Sequence, residues 1–220
     1  MLWRTMALLT WLVGGVDGGR PAQAPALRYL ALGDSFTIGT GQPERLNFPS
    51  QLAAMLERRG RVVRLTNVAV NGYSTRELLA EELPALEVVK PTHVTLAIGA
   101  NDLVRGASSA EYRARLRQIF ARLARSGVTG GRLLVLPQPD WSQAPVAEAF
   151  GDRETLRRRI EASNAVLAEE TTAAGGVFVD LWPLFVAQGA QRMFADDGLH
   201  PSGSAYTAWA QALVERFDPG

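Results

Sequence analysis

Apolar residues along this chain fall into two alternating kinds of stretch. Short runs that are apolar at nearly every position predict strands covered on both faces. Longer stretches with apolar residues three and four apart predict helices with one buried side. The first run covers residues 27–33 and stops at Gly33. Asn47-Phe48-Pro49 then opens a helix with Leu52, Met55 and Leu56 on one face, closed by Gly60. Residues 62–70 predict a second strand, and 74–89 a helix that Pro84 kinks or breaks. A third strand, 93–99, is nearly all apolar. Ser108 and Glu111 form a capping box for a helix with Tyr112, Leu116, Ile119, Phe120 and Leu123 at helical spacing, ended by Gly127. Residues 132–137 predict a fourth strand and 152–174 a long helix with Leu156, Ile160 and Leu167 inward. A fifth strand at 177–182 and a last helix at 202–217 complete the pattern.

Strict alternation of strand and helix predicts an α/β fold, a parallel sheet with helices on both faces joined by right-handed crossovers. No repeat, low-complexity tract or linker interrupts it, so residues 25–220 read as one domain. The first 24 residues differ: Arg4 precedes an apolar run at 6–16, and Ala22-Gln23-Ala24 resembles a small-residue cleavage site. That is the layout of a secretory signal, and the run is too short to span a membrane. It predicts a secreted or periplasmic protein; the alternative is a cytoplasmic one with an N-terminal extension.

Composition narrows the chemistry. The chain has 220 residues, a formal net charge of +1 and no Cys, which excludes disulfides, thiolate metal sites and a Cys nucleophile. Arg113, Arg115, Arg117, Arg122 and 157–159 read as solvated helix faces rather than a nucleic-acid surface, since no recognised binding module accompanies them. Only two histidines, His93 and His200, are available to a histidine-dependent mechanism. His93 opens a strand at the end opposite the expected site and reads as inert.

In a parallel sheet the loops after the strands share one rim, where ligands bind. The first such loop offers Asp34 and Ser35; the second, Asn71, Gly72, Tyr73 and Ser74; the third, Gly99, Asn101 and Asp102. The fourth offers Gln138, Asp140 and Trp141, and Asp196, Asp197 and His200 follow the fifth strand. A lone Ser35 reads first as a turn or helix cap, but here a hydroxyl, an acid–histidine pair and a side-chain amide converge on one edge. The nucleophile elbow Gly-x-Ser-x-Gly, the Lys-Ser/Thr end of a phosphate loop and the third Gly of a dinucleotide fingerprint are all missing. With no further His or Cys to join Asp196, Asp197 and His200, neither a metal nor any other cofactor is expected.

Gly33-Asp34-Ser35-Phe36, Gly72, Gly99-x-Asn101-Asp102 and Asp197-x-x-His200, in that order, resemble the SGNH (GDSL) hydrolases, and the small single-domain bacterial esterases and lipases among them. The resemblance runs from about residue 27 to the last helix. It implies a three-layer α/β/α, flavodoxin-like sheet of five strands in the order 2-1-3-4-5, and hydrolysis of an ester or thioester. It also implies a catalytic Ser35 and His200, and an oxyanion hole made by the Ser35 and Gly72 N–H groups and the Asn101 amide.

Within that reading, histidine suits a base that later acts as acid because its ordinary pKa lies near neutrality. Asp197, three residues before His200, is placed to orient the imidazole. Asp34, Asp102 and Asp196 read as scaffold, and Asn164 as a buried amide. Trp141, on a long loop with Pro145 and Phe150, either lines the substrate pocket or covers the core. The expected partner is a small-molecule ester, with neither nucleic acid nor stable membrane insertion; oligomeric state is open. Acyl transfer to a sugar or alcohol would use the same residues, and a non-catalytic carbohydrate- or lipid-binding domain is the reading from another class.

Overall fold

The computed structural model describes residues 25–217, so the segment read as a secretory signal lies outside them. Five strands form one parallel sheet: β1 (Leu27–Gly33), β2 (Val63–Asn67), β3 (His93–Ala97), β4 (Gly130–Val135) and β5 (Gly176–Phe178), in the order β2-β1-β3-β4-β5. This is the expected flavodoxin-like order. β1 lies between β2 and β3, with Tyr29 opposite His93 and Gly33 opposite Ala97.

Alternation along β1 feeds two cores. Leu27, Tyr29 and Ala31 pack on one face, Leu30 and Leu32 on the other. Among the described residues nine α-helices connect and flank the strands: α1 (Ser35–Ile38), α2 (Phe48–Arg58), α3 (Thr75–Glu77), α4 (Ala85–Val89), α5 (Ala100–Val104), α6 (Ser109–Arg125), α7 (Arg153–Ala173), α8 (Trp182–Ala190) and α9 (Gly203–Phe217). The first core joins β1 to Phe48, Leu52 and Leu56 of α2 and to Trp209, Leu213 and Phe217 of α9. The second joins it to Leu116, Ile119 and Leu123 of α6 and to Val166 and Leu167 of α7. The result is three layers, with helices on both sides of the sheet.

Local chemistry sets the helix boundaries. Asn47 caps α2 by accepting from the Ser50 N–H, and the Ser108–Glu111 capping box on α6 is reciprocal. Asp152 caps α7 through the Thr155 N–H at 2.8 Å. The predicted 74–89 helix is broken into α3, a π-helical turn at Leu78–Glu82, and α4, with Pro84 just before α4. Strands β2, β3 and β5 are shorter than predicted, and β4 begins and ends two residues earlier. Helix α8 falls where the sequence pattern gave no element. His93 stacks on Phe217 with ring centroids 5.0 Å apart, within the packing at the foot of the sheet.

Candidate active site

The end of β1 turns sharply into α1. Asp34 has extended geometry and its carboxylate accepts from the Phe36 N–H at 3.0 Å, which caps the short helix and sets Ser35 in its first position. The far side is fixed by Asn47, which donates to the Ile38 carbonyl at 3.0 Å, and by Asn67, which donates to the Thr37 carbonyl at 3.3 Å. Asp34 is therefore scaffold, and it is 1% exposed. Burial pushes its carboxyl up to about 7; the Phe36 N–H opposes this and the Asp102 charge adds to it.

The segment after α8 folds into a pinned hairpin. Phe194 and Pro201 form an antiparallel bridge, and the Ala195 N–H donates to the His200 carbonyl at 2.7 Å. Asp197 sits at its tip, where its Oδ1 accepts from the Leu199 and His200 N–H groups, both at 2.9 Å. Its Oδ2 lies 2.6 Å from His200 Nδ1. Two backbone N–H groups thus hold one carboxylate oxygen, and the other oxygen holds the imidazole. Burial alone would raise the Asp197 pKa, but these hydrogen bonds and the adjacent imidazole bring it below its ordinary value. The His200 ring also lies against Phe36, with centroids 5.3 Å apart, so the two segments meet directly.

Helix α5 delivers Asn101. Asp102 is buried beneath it and accepts from the Thr75 N–H at 2.9 Å and the Thr75 hydroxyl at 2.5 Å, tying the third loop to the second. Asn101 Nδ2 donates to the Tyr73 carbonyl at 2.9 Å. Gly72 has φ 84, a conformation that favours glycine, but no atom lies within 4 Å of a Cβ built there. Its glycine answers to backbone conformation, not crowding. Neither the Ser35 nor the Gly72 N–H donates to another group among the described residues.

These segments enclose a cleft of ≈ 130 Å³ lined by Ser35, Asn71, Asn101 and His200 together with apolar side chains. The apolar walls are Phe36, Ala100, Val104, Trp141, Phe150 and Leu199. Of the residues singled out in the sequence, Ser35, Asn101, Trp141 and His200 line it; Asp197 stands behind His200, and Gly72 adjoins the lining residue Asn71. Trp141 is 3% exposed, packs edge-on to Phe150 at 5.3 Å, and forms part of the cleft wall. Asn164 is a buried amide that clasps the fourth loop, accepting from the Gln138 N–H at 2.8 Å and donating to its carbonyl at 3.0 Å.

Val104 and Leu199 were not singled out, although each lies within three residues of a site residue. Among the described residues no group of three or more His, Cys, Asp or Glu side chains is arranged to hold a metal ion, and no helix is long and apolar enough to cross a membrane.

A strand-end serine, an acid-bound imidazole and an apolar cleft thus meet at one rim of a parallel sheet in a three-layer α/β/α fold. The chain belongs to the GDSL-like lipase/acylhydrolase family, whose family model matches residues 31–208, and it is a carboxylic ester hydrolase. Among its relatives, Esterase TesA of Pseudomonas aeruginosa is 29% identical over 185 residues, covering 83% of this chain and 84% of the relative. An arylesterase of Vibrio mimicus is 26% identical over 192 residues, covering 86% and 88%. A crystal structure of TesA superposes with a TM-score of 0.71 at 25% identity, covering 87% of this chain and 98% of the other.

Proposed function

We propose that the protein hydrolyses small carboxylic esters through an acyl-enzyme on Ser35, with His200 as base and acid and Asp197 as its orienting group. The observation that carries this reading is the 2.6 Å contact between His200 Nδ1 and Asp197 Oδ2, beside a cleft that Ser35 and His200 line together. With Nδ1–H donated to Asp197, Nε2 carries the lone pair that a base needs.

Ser35 Oγ attacks the acyl carbon as its proton passes to His200 Nε2, and the carbonyl oxygen becomes an oxyanion. The free N–H groups of Ser35 and Gly72, with the second amide hydrogen of Asn101, are the donors for that charge. One such donor is worth about 3–4 kcal/mol in the transition state. Collapse breaks the bond to the alcohol oxygen, which leaves with the proton from His200. Water then repeats the sequence on the acyl-enzyme: it gives a proton to His200, adds to the acyl carbon, and Ser35 departs with that proton restored.

The cleft walls are uncharged apart from any proton on His200, which favours a neutral, apolar acyl or alcohol group. The relative named an arylesterase supports the same direction. Short p-nitrophenyl esters are expected to turn over, and a fluorophosphonate to label Ser35. Ser35→Ala should abolish both while leaving the Tm unchanged. Turnover by Ser35→Ala at the wild-type rate would refute the mechanism, as would an active wild type that a fluorophosphonate does not label.

A further inference from the structure

Arg105 lies outside the cleft, yet it grips the backbone that the mechanism above depends on. It follows Asn101 by one helical turn, so both side chains leave the same face of α5 and its cap. Arg105 Nη2 donates to the Gly72 carbonyl at 2.7 Å, and Nη1 donates to Glu77 Oε2 at 2.8 Å. The same Glu77 oxygen accepts from the Ser74 N–H at 2.9 Å and the Ser74 hydroxyl at 2.6 Å. One guanidinium fork therefore bridges the Gly72 peptide to the capping box of α3.

The need for such a brace is visible in the loop itself. Gly72 combines φ 84 with empty space where a Cβ would be, so neither a side chain nor packing restrains its rotation. The turn is held at two other points: the Tyr73 N–H, on the same peptide as the Gly72 carbonyl, donates to the Val70 carbonyl at 3.2 Å, and the Tyr73 carbonyl accepts from Asn101. The Gly72 carbonyl is held only by Arg105 among the described residues. Burial of Glu77 works against its charge, but the Ser74 and Arg105 hydrogen bonds win and lower its pKa to about 2, so the anchor stays ionised at working pH.

We propose that Arg105, anchored on Glu77, is a positioning residue of the oxyanion hole: by holding the Gly72–Tyr73 peptide it fixes the 70–73 turn that carries the Gly72 N–H beside the cleft. This rests on the esterase mechanism proposed above. A planar fork is required, because a lysine ammonium cannot span both acceptors in the same fixed geometry. The interaction acts on the transition state, where charge develops on the oxygen, more than on substrate binding.

The test is steady-state kinetics on a short p-nitrophenyl ester for wild type, Ser35→Ala, Arg105→Gln, Arg105→Lys, Arg105→Ala and the neighbouring control Arg76→Gln. Loss of aim should lower kcat by about 10- to 100-fold in Arg105→Gln and Arg105→Ala, with KM changed less than about threefold. Arg105→Lys should fall between these and wild type, and Arg76→Gln should match wild type. Millimolar guanidinium should restore part of the Arg105→Ala kcat, and sodium chloride at equal ionic strength should not. A kcat within about twofold of wild type in Arg105→Gln would overturn the proposal, as would a loss that tracks Tm and resists guanidinium. If Ser35→Ala itself retained turnover, the mechanism would fail before Arg105 came into question.

Discussion

A Cβ on Gly41 would lie 3.0 Å from Asp197 Oδ2, the oxygen that His200 Nδ1 contacts. The turn that presents Ser35 therefore also backs the acid of the acid–histidine pair. Gly41 has φ 82, so Gly41→Ala should cost about 1–2 kcal/mol of stability from the left-handed backbone. It should also displace the carboxylate and reduce kcat about tenfold or more. Thermal melts and kcat on one ester, set beside Asp197→Ala, check both parts. Wild-type kcat in both variants would mean that Ser35 and His200 work as a dyad.

Behind the Ser35 turn two carboxyl groups, Asp34 and Glu82, are buried together. Glu82 accepts from the Gly33 N–H at 2.9 Å through Oε2, while its buried Oε1 has no partner. Burial pushes its pKa up to about 8; the Gly33 N–H opposes this, and the charges of Asp34 and Glu81 add to it. A carboxyl whose pKa is raised on folding stabilises fully below its unfolded value, and that stability is lost as pH rises through the folded value. With Asp34 at about 7 and Glu82 at about 8, Tm should fall between roughly pH 4 and 8. Glu82→Gln should remove its share and flatten the curve, gaining on wild type toward pH 8. Parallel Tm–pH curves for the two proteins would contradict this.

Trp141 and Leu199 form a partition. Both line the cleft, and both line a second, mainly apolar cavity bounded by Phe185, Met193, Phe194 and Trp209. Trimming the partition with Trp141→Phe should admit longer acyl chains. The ratio of kcat/KM for octanoyl over acetyl p-nitrophenyl ester should rise about tenfold, the scale set by burying one or two methylenes. Trp141→Ala should do the same at a stability cost of about 3–5 kcal/mol. A ratio unchanged in Trp141→Phe would place the acyl chain elsewhere.

Legibility in the sequence followed the range of the interactions. The capping boxes, the Asn47 and Asp152 caps and the Tyr112–Leu123 stripe are local, and they set α2, α6 and α7 where the pattern put them. Helix α8 was hidden because Trp182, Leu184, Phe185, Val186 and Ala187 prolong the apolar run of β5 with no polar face to mark a helical period, and Pro183 suits a helix start as well as a strand end. The family motifs pointed to Ser35, Gly72, Asn101, Asp197 and His200. Arg105 was not legible, since its meaning lies in a carbonyl 33 residues away. Nor was Glu82, whose orientation toward Gly33 comes from the π-helical turn at Leu78–Glu82.

The hairpin that holds Asp197 and His200 comes after all five strands, and α9 closes over it. During synthesis the Ser35 turn leaves the ribosome early, and nearly the whole domain follows before His200, its proposed base, is made. Under the proposed mechanism, ester cleavage by a chain still on the ribosome would appear only after this hairpin has been made.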